Sequence, residues 1–142
     1  MKILVVEDHV LIGFVLETEL TNAGHQVIGP VGTVEKGLEL AMATGPELAL
    51  VNINLKDSGD GIALARALLE RLNCPSLFVS GNVIEARAAK DAALGFVAKP
   101  YNPAVVIESI EVVAQILHGQ KPAAVPAGLE LFRDTLPTPT RQ

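Results

Sequence analysis

The feature of this sequence that most constrains its fold is the regular alternation of short apolar runs with longer amphipathic segments. The apolar runs are three to six residues long and predict strands, the first of which is apolar throughout and therefore expected to be buried on both faces, whereas the longer segments have helical periodicity. The predicted strands are Ile3 to Val6, Gln26 to Ile28, Leu48 to Ile53, Ser76 to Val79 and Gly95 to Ala98. The predicted helices run from Asp8 or His9 to about Ala23, from the cap Thr33 to near Gly45, from about Ile62 to Leu72, from roughly Ile84 to Ala93, and from Pro103, capped by Asn102, to about Leu117.

Five strands that alternate with five helices predict a doubly wound α/β domain with a parallel sheet between two layers of helices. Because crossovers between parallel strands are right-handed, few topologies remain, and we expect the flavodoxin-like (βα)5 fold with strand order 2-1-3-4-5. This domain is predicted to occupy residues 1–118. Residues 119–142 hold four of the nine prolines and are predicted to form a mobile tail, in which Leu129, Leu131 and Phe132 could make one apolar turn.

Composition excludes several classes of function. The net charge of −5 disfavours nonspecific binding to nucleic acid or to an anionic membrane. A single cysteine, Cys74, excludes a disulfide framework and a multi-cysteine zinc site, and His9, His25 and His118 do not form a metal-binding set. No stretch approaches the ~20 apolar residues that a membrane span needs, and the N-terminus does not resemble a signal peptide, so we expect a cytoplasmic protein.

Polar side chains stand where the predicted strands end. Glu7 and Asp8 follow the first strand, Asn52 and Asn54 the third, Ser80 the fourth and Lys99 the fifth. Ligands of open α/β sheets bind outside the carboxyl ends of the strands, so these groups are predicted to share one site. Carboxylates suit Mg²⁺, and an ammonium and a hydroxyl suit the oxygens of a phosphoryl group. A nucleophile is missing, because an amide cannot form the acyl phosphate that an aspartate at position 52 would form.

The segments ILVVEDH, LALVNINL, LFVSGN and GFVAKPY occur in the order and with the approximate spacing of a response-regulator receiver domain, which the chain resembles from residue 1 to about residue 118. The resemblance implies a two-component phosphorelay module that takes a phosphoryl group from a histidine kinase or histidine phosphotransfer protein with Mg²⁺ and passes the signal to a downstream protein. Such a module is not an enzyme.

The resemblance also assigns roles to individual residues. It implies that Glu7, Asp8 and the backbone carbonyl of Asn54 hold the metal together with the phosphoacceptor position, which is Asn52 here. Ser80 is the implied hydroxyl and Lys99 the implied lysine, before a cis proline, Pro100. Phe96, three residues before the lysine, is the implied aromatic switch. Besides Asn52, two departures stand out: the interval from Ser80 to Lys99 is short, and Lys56 occupies a position often held by proline.

Three functions compete for this sequence. The first is a phosphorelay receiver whose acceptor aspartate has been replaced by engineering, so that this form cannot be phosphorylated. The second is a natural pseudo-receiver that binds proteins without phosphorylation. The third is a phosphatase of the haloacid-dehalogenase kind, which is disfavoured because it would need an aspartate at position 52 and a second acid two residues later. A dinucleotide-binding domain is disfavoured because no G-x-G-x-x-G follows the first strand.

The last predicted helix is apolar over more than one face. Val106, Ile110, Val113 and Leu117 form one stripe, and Val105, Val112 and Ile116 form a second beside it. If the second stripe is exposed, it predicts a homodimer or a docked partner. If Leu129, Leu131 and Phe132 fold back onto it, the stripe is covered and the dimer is not expected.

Overall fold

The computed structural model of the protein describes residues 1–55 and 59–132. Its strands are β1 (Lys2–Val6), β2 (Gln26–Val31), β3 (Leu48–Asn52), β4 (Asn54–Leu55), β5 (Gly59–Asp60), β6 (Ser76–Ser80), β7 (Gly95–Ala98) and β8 (Leu129–Leu131). Its helices are α1 (Val10–Asn22), α2 (Val34–Thr44), α3 (Gly61–Leu72), α4 (Val83–Ala88) and α5 (Pro103–Leu117). No helix in this described part has both the length and the apolar character that crossing a membrane requires.

The main sheet has the strand order β2-β1-β3-β6-β7-β8. The first five of these strands pair in parallel, which confirms the predicted flavodoxin-like order. Side chains along each strand alternate between two cores: Ile3 and Val5 of β1 belong to the core under α1 and α5, whereas Leu4 and Val6 belong to the core under α2, α3 and α4. The two-sided burial explains why these strands are continuous apolar runs.

The predicted helix starts follow ordinary capping chemistry. The Thr33 hydroxyl accepts a hydrogen bond from the Lys36 amide at the start of α2. Asn102 caps α5 in the same way, with Pro103 at the first helical position. These local signals placed both boundaries correctly.

Two local predictions are wrong. The fourth helix ends at Ala88 and not near Ala93, because the chain from Ala89 turns back and buries Ala89, Ala92 and Ala93 before entering β7. The segment predicted as a loop before the third helix contains β5, which pairs antiparallel with β4. Lys56, the position often held by proline, lies outside the described residues.

Part of the segment predicted as a tail, beyond residue 118, pairs with the sheet in the structure. Leu129–Leu131 form β8, which pairs antiparallel with the outer edge of β7, and Leu129 is buried. A strand edge offers unpaired backbone groups, so a nearby segment with alternating apolar side chains lowers the free energy by pairing with it. Residues 129–132 are therefore part of the domain. The rest of the predicted tail, residues 133–142, lies outside the described residues.

The second apolar stripe of α5 is not exposed. Val112 and Ile116 are buried against the sheet, and Val105 packs against the same core close to Gly128. The expectation of an exposed stripe, and with it the motivation for a homodimer through the last helix, is wrong. The alternative holds only in part: Leu129 and Leu131 pack into the same core as this stripe, whereas Phe132 packs on the opposite face of the sheet.

Candidate functional site

The register of the parallel strands brings the predicted site residues together. Val6 of β1 lies beside Val51 of β3, so Glu7 and Asp8 emerge next to Asn52. Ser80 of β6 pairs with Ala98 of β7, so Lys99 follows at the same edge. Because all four strands run in the same direction, the residues at their carboxyl ends meet without any long loop to position them.

Asn52 lies at the centre of this site and is almost fully buried, with 6% of its surface exposed. Its side-chain nitrogen Nδ2 donates to Glu7 Oε2 at 3.3 Å, to Asp8 Oδ1 at 3.2 Å and to the Asn54 backbone carbonyl at 3.2 Å. An amide nitrogen carries two hydrogens, so three acceptors share two donors. The amide thereby satisfies three oxygens that would otherwise face one another.

Lys99 engages the opposite end of the same amide. Its Nζ donates to Asn52 Oδ1 at 3.1 Å, and its backbone N donates to the Ser80 carbonyl at 2.9 Å. The carbonyl oxygen of an amide is the end that accepts, so the Lys99 ammonium and the carboxylates fix which way the amide points. The Lys99–Pro100 peptide bond is cis, and so is Gly29–Pro30, which sequence reasoning did not single out.

The start of α3 holds the Asn52 backbone in place. The Gly61 amide donates to the Ile53 carbonyl at 2.8 Å, and a side chain at Gly61 would collide with the backbone of Asn52 and Ile53. Only glycine allows the helix to approach the end of β3 this closely. The position of Asn52 is therefore set by backbone packing as well as by its own hydrogen bonds.

Burial raises the pKa of the Glu7 carboxyl above its usual range, and the neighbouring Asp8 acts in the same direction. The His9 backbone amide, which donates to Glu7 Oε2 at 3.0 Å, and the Lys99 ammonium act in the opposite direction. Ionised Glu7 therefore costs stability at neutral pH, and this cost is relieved as pH falls through the raised pKa. A further buried negative charge here would increase the cost.

The site as arranged does not fit Mg²⁺. Within residues 1–55 and 59–132, no three His, Cys, Asp or Glu side chains lie together as a metal-binding group. The three oxygens that the resemblance assigns to the metal all receive hydrogen bonds from Asn52 Nδ2. A cation must be surrounded by lone pairs, whereas this amide presents hydrogens to the place where the ion would be bound. The amide nitrogen occupies the position that a cation would take.

Two other residues with implied roles, Ser80 and Phe96, have close partners within the domain. The Ser80 hydroxyl donates to the Asn82 carbonyl at 3.2 Å and accepts from the Asn82 amide at 3.0 Å, so it closes the turn after β6. Phe96 is 3% exposed, and its ring lies 5.8 Å from the ring of Phe132 at an angle of 33°. Phe96 is thus held in the core by the segment that follows β8.

Sequence reasoning missed Tyr101, which lies beside the site. Burial, together with the negative charge of Glu7, raises the pKa of the Tyr101 hydroxyl to about 12. Tyr101 also lines a groove of about 540 Å³ with Lys99, Pro100, Pro103 and residues of α1. The signal in the sequence was only its place directly after Lys99-Pro100.

A second missed feature is the outer face of α1. Val10, Leu11 and Phe14 are 87%, 65% and 61% exposed. With the partly exposed Val15, they form an apolar surface that continues into the groove beside Lys99, and we name it the α1 surface. The sequence did contain a sign of the α1 surface. The segment that forms α1 is apolar around most of the helix circumference, as expected for a helix that packs on two sides.

Comparison with known proteins identifies the family to which this fold and site belong. The sequence model of the response regulator receiver domain matches residues 3–111, and the chain belongs to that family. It is 31% identical over 126 residues to the phyllosphere-induced regulator PhyR of Methylorubrum extorquens, covering 86% of this chain and 45% of PhyR. It is 23% identical over 120 residues to the chemotaxis protein CheY of Thermotoga maritima, covering 80% of this chain and 98% of CheY.

Solved structures agree with this membership. The signal receiver domain of a modulated diguanylate cyclase from Desulfovibrio desulfuricans superposes with a TM-score of 0.73 at 29% identity, covering 82% of this chain and 95% of that domain. The receiver domain of NtrX from Brucella abortus gives a TM-score of 0.71 at 28% identity, covering 77% and 94%. The chain spans roughly half or less of the first curated relatives it matches, PhyR among them.

The Asn52 network makes a prediction about stability. Without added metal, Asn52→Asp should lower the free energy of unfolding by about 1–3 kcal/mol at neutral pH, because three hydrogen bonds from Nδ2 are replaced by repulsion among carboxylates. The difference should narrow as pH falls, since protonation removes the repulsion. Thermal and urea melts measure it. Asn54→Asp, which adds the same charge at an exposed side chain, is the matched control and should change stability by less than about 0.5 kcal/mol. A more stable Asn52→Asp form would contradict the prediction.

Proposed function

We propose that this chain is a receiver domain that signals by binding other proteins and accepts no phosphoryl group at position 52. The observation that carries the proposal is the Asn52 amide, whose nitrogen donates to Glu7, Asp8 and Asn54 while its oxygen accepts from Lys99. The amide is a poor nucleophile, and both of its ends are already engaged. The protein is a signalling module in this proposal and not an enzyme.

The hydrogen-bond network also supports a fixed signalling state. In a metal-dependent site, binding of the ion neutralises the acids. Here a neutral amide donates hydrogen bonds to the same acids, and Lys99 compensates one of their two charges. The site therefore needs no ion and no phosphoryl group to be internally satisfied. Such a domain would be regulated by the presence of its partners.

A phosphorelay receiver remains the second candidate, and a specific observation favours it. Glu7, Asp8 and Lys99 surround position 52, so one substitution to aspartate would supply the missing carboxylate without moving any other group. In that form Glu7, Asp8, the new carboxylate at position 52 and the Asn54 carbonyl would hold Mg²⁺. Lys99 and Ser80 would face the phosphoryl oxygens, and a histidine kinase or histidine phosphotransfer protein would be the donor.

Phosphorylation separates the two candidates. Incubated with acetyl phosphate and Mg²⁺, the unaltered chain should gain no phosphoryl group, whereas Asn52→Asp should gain one, because only a carboxylate can form the acyl phosphate. Intact mass measures the gain and peptide mapping locates it. The Asn54→Asp variant, with its added carboxylate two residues away, should remain unlabelled. A phosphoryl group mapped to residue 52 of the unaltered chain would overturn the proposal.

Magnesium binding is also expected to differ between the unaltered chain and Asn52→Asp. In the unaltered chain the ion must displace the hydrogens of Asn52 Nδ2, and it finds two carboxylates. In Asn52→Asp it finds three carboxylates. The affinity of the unaltered chain for Mg²⁺ should therefore be at least about 10-fold lower. Isothermal titration calorimetry with MgCl₂ at fixed ionic strength measures this ratio. Equal affinities would show that Asn52 does not block the ion.

The α1 surface is the part of the domain that we propose contacts a kinase, a phosphotransfer protein or another upstream partner. It consists of exposed apolar side chains next to Lys99 and the site, and contiguous exposed apolar surface marks interaction sites. Val10, Leu11 and Phe14 contribute little to the stability of the free chain, because most of their surface is already in solvent. A partner that covers them would also cover the entrance to the site.

The Phe14→Glu substitution tests this role. In the Asn52→Asp background, labelling by acetyl phosphate should not change, because Phe14 lies outside the site, whereas transfer from the phosphorylated cognate kinase or phosphotransfer protein should slow at least about 10-fold. Initial rates of transfer measure the effect. Met42→Glu is the matched control, since Met42 is also 60% exposed but lies on α2, away from the α1 surface. Equal losses in both variants would exclude a specific role for α1.

A further inference from the structure

β8 occupies an edge of the sheet that the rest of the domain leaves open. Its register places Leu129 opposite Val97, Glu130 opposite Phe96 and Leu131 opposite Gly95. Backbone hydrogen bonds continue on both sides of the strand: the Ala98 amide donates to the Gly128 carbonyl at 3.2 Å, and the Phe132 amide donates to the Leu94 carbonyl at 2.9 Å. The edge of β7 is therefore shaped to accept one short antiparallel strand.

Gly95 shows that this edge is adapted to a strand lying against it. A Cβ atom at Gly95 would collide with the backbone of Glu130 and Leu131, and its near neighbours are all atoms of β8. The closest approach at Gly95 is therefore made by the strand added to the edge. Replacing Gly95 should obstruct a strand at this position.

The side chains on the two faces of β8 contact different parts of the domain. Leu129 and Leu131 pack into the core under α1 and α5, whereas Phe132 packs on Phe96 in the other core. On the α4 side, Glu130 accepts two hydrogen bonds from the Arg87 guanidinium, at 2.9 and 2.7 Å. We use the name β7 groove for three features together: the edge of β7, Arg87, and the side of the Phe96 ring that Phe132 contacts. It selects an apolar residue, an acid, an apolar residue and an aromatic ring in this order.

β8 follows the part of the chain that the receiver-domain model matches. The receiver-domain match ends at residue 111, whereas β8 begins at Leu129. The five parallel strands and five helices supply most of both cores, to which Leu129 and Leu131 add on one side and Phe132 on the other. The attachment is short: it consists of three paired residues with a backbone hydrogen bond on either side, one buried leucine, the Phe132–Phe96 ring contact and an ion pair whose side chains are 59% and 38% exposed.

We propose that the β7 groove is a docking site for an extended segment of another protein, and that β8 is the resident occupant which this segment displaces. The partner segment has the pattern of residues 129–132, apolar–acidic–apolar–aromatic. Its apolar residues would take the core positions of Leu129 and Leu131, its acid would pair with Arg87, and its aromatic ring would pack on Phe96. Addition of a strand to an open edge gives affinity through the backbone and specificity through alternate side chains. The groove lies on β7, the strand directly before Lys99, so its occupant contacts an element that positions the site. This proposal does not depend on whether position 52 can be phosphorylated.

The test uses the full chain with Leu129→Asp. This substitution places a charge at a buried core position and should therefore release β8 from the edge of β7. The probe is a fluorescein-labelled peptide of sequence PAGLELF, residues 126–132. It should bind Leu129→Asp at least about 10-fold more tightly than the unaltered chain, whose groove is occupied, as measured by fluorescence anisotropy. Gly95→Ala in the Leu129→Asp background should abolish binding. Circular dichroism and a thermal melt confirm that each variant is folded.

Charge reversal identifies the register. In the Leu129→Asp background, Arg87→Glu should weaken binding of the PAGLELF peptide several-fold, and a PAGLKLF peptide should recover it. If Leu129→Asp does not fold, Glu130→Lys with Phe132→Ala, both only partly buried, releases β8 instead. Absence of binding to a folded, β8-released chain, or equal binding with and without Gly95→Ala, would overturn the proposal. So would a dimer of the unaltered chain that dissociates on Leu129→Asp, since a second copy would then be the occupant.

Discussion

The parallel, in-register pairing of β1, β3, β6 and β7 is the constraint on which the site depends. It delivers two acids, an amide and an ammonium to one edge, where no other element could gather them. Once gathered, two carboxylates and a lysine leave one negative charge in a largely buried place. The Asn52 amide stabilises this buried charge by donating hydrogen bonds to the acids and accepting one from Lys99. Hydrogen-bond direction, and not net charge, holds the site together.

Much of this was predictable because the signals are local. The alternation of apolar runs predicts the sheet, Thr33 and Asn102 predict helix starts, and the polar residues after each strand predict the site. These inferences use only neighbouring residues and the rule that parallel strands end together. The place of Asn52 at the end of the third strand already marked it as the position of a missing nucleophile, and the resemblance to receiver domains added the roles of Phe96 and Pro100.

The parts that were missed depend on tertiary contacts. The orientation of the Asn52 amide follows from Lys99 lying on one side and Glu7 on the other, which requires the folded site. β8 consists of only three residues in a proline-rich segment, and it forms because β7 offers an open edge. The fourth helix ends at Ala88 because Ala89, Ala92 and Ala93 pack better in a turn than in a continued helix. In each case a distant surface overrides a local preference.

The short strand β8 has one more consequence, for the behaviour of the protein at high concentration. β7 is the apolar sequence GFVA, and as an outermost strand it would present free backbone groups beside apolar side chains, which is the usual template for aggregation. β8 covers that template with a strand of three residues that carries an acid. Short, charged edge strands recruit further strands poorly. A segment that can be displaced thus also protects the solubility of the chain, and any partner that removes it has to replace that protection.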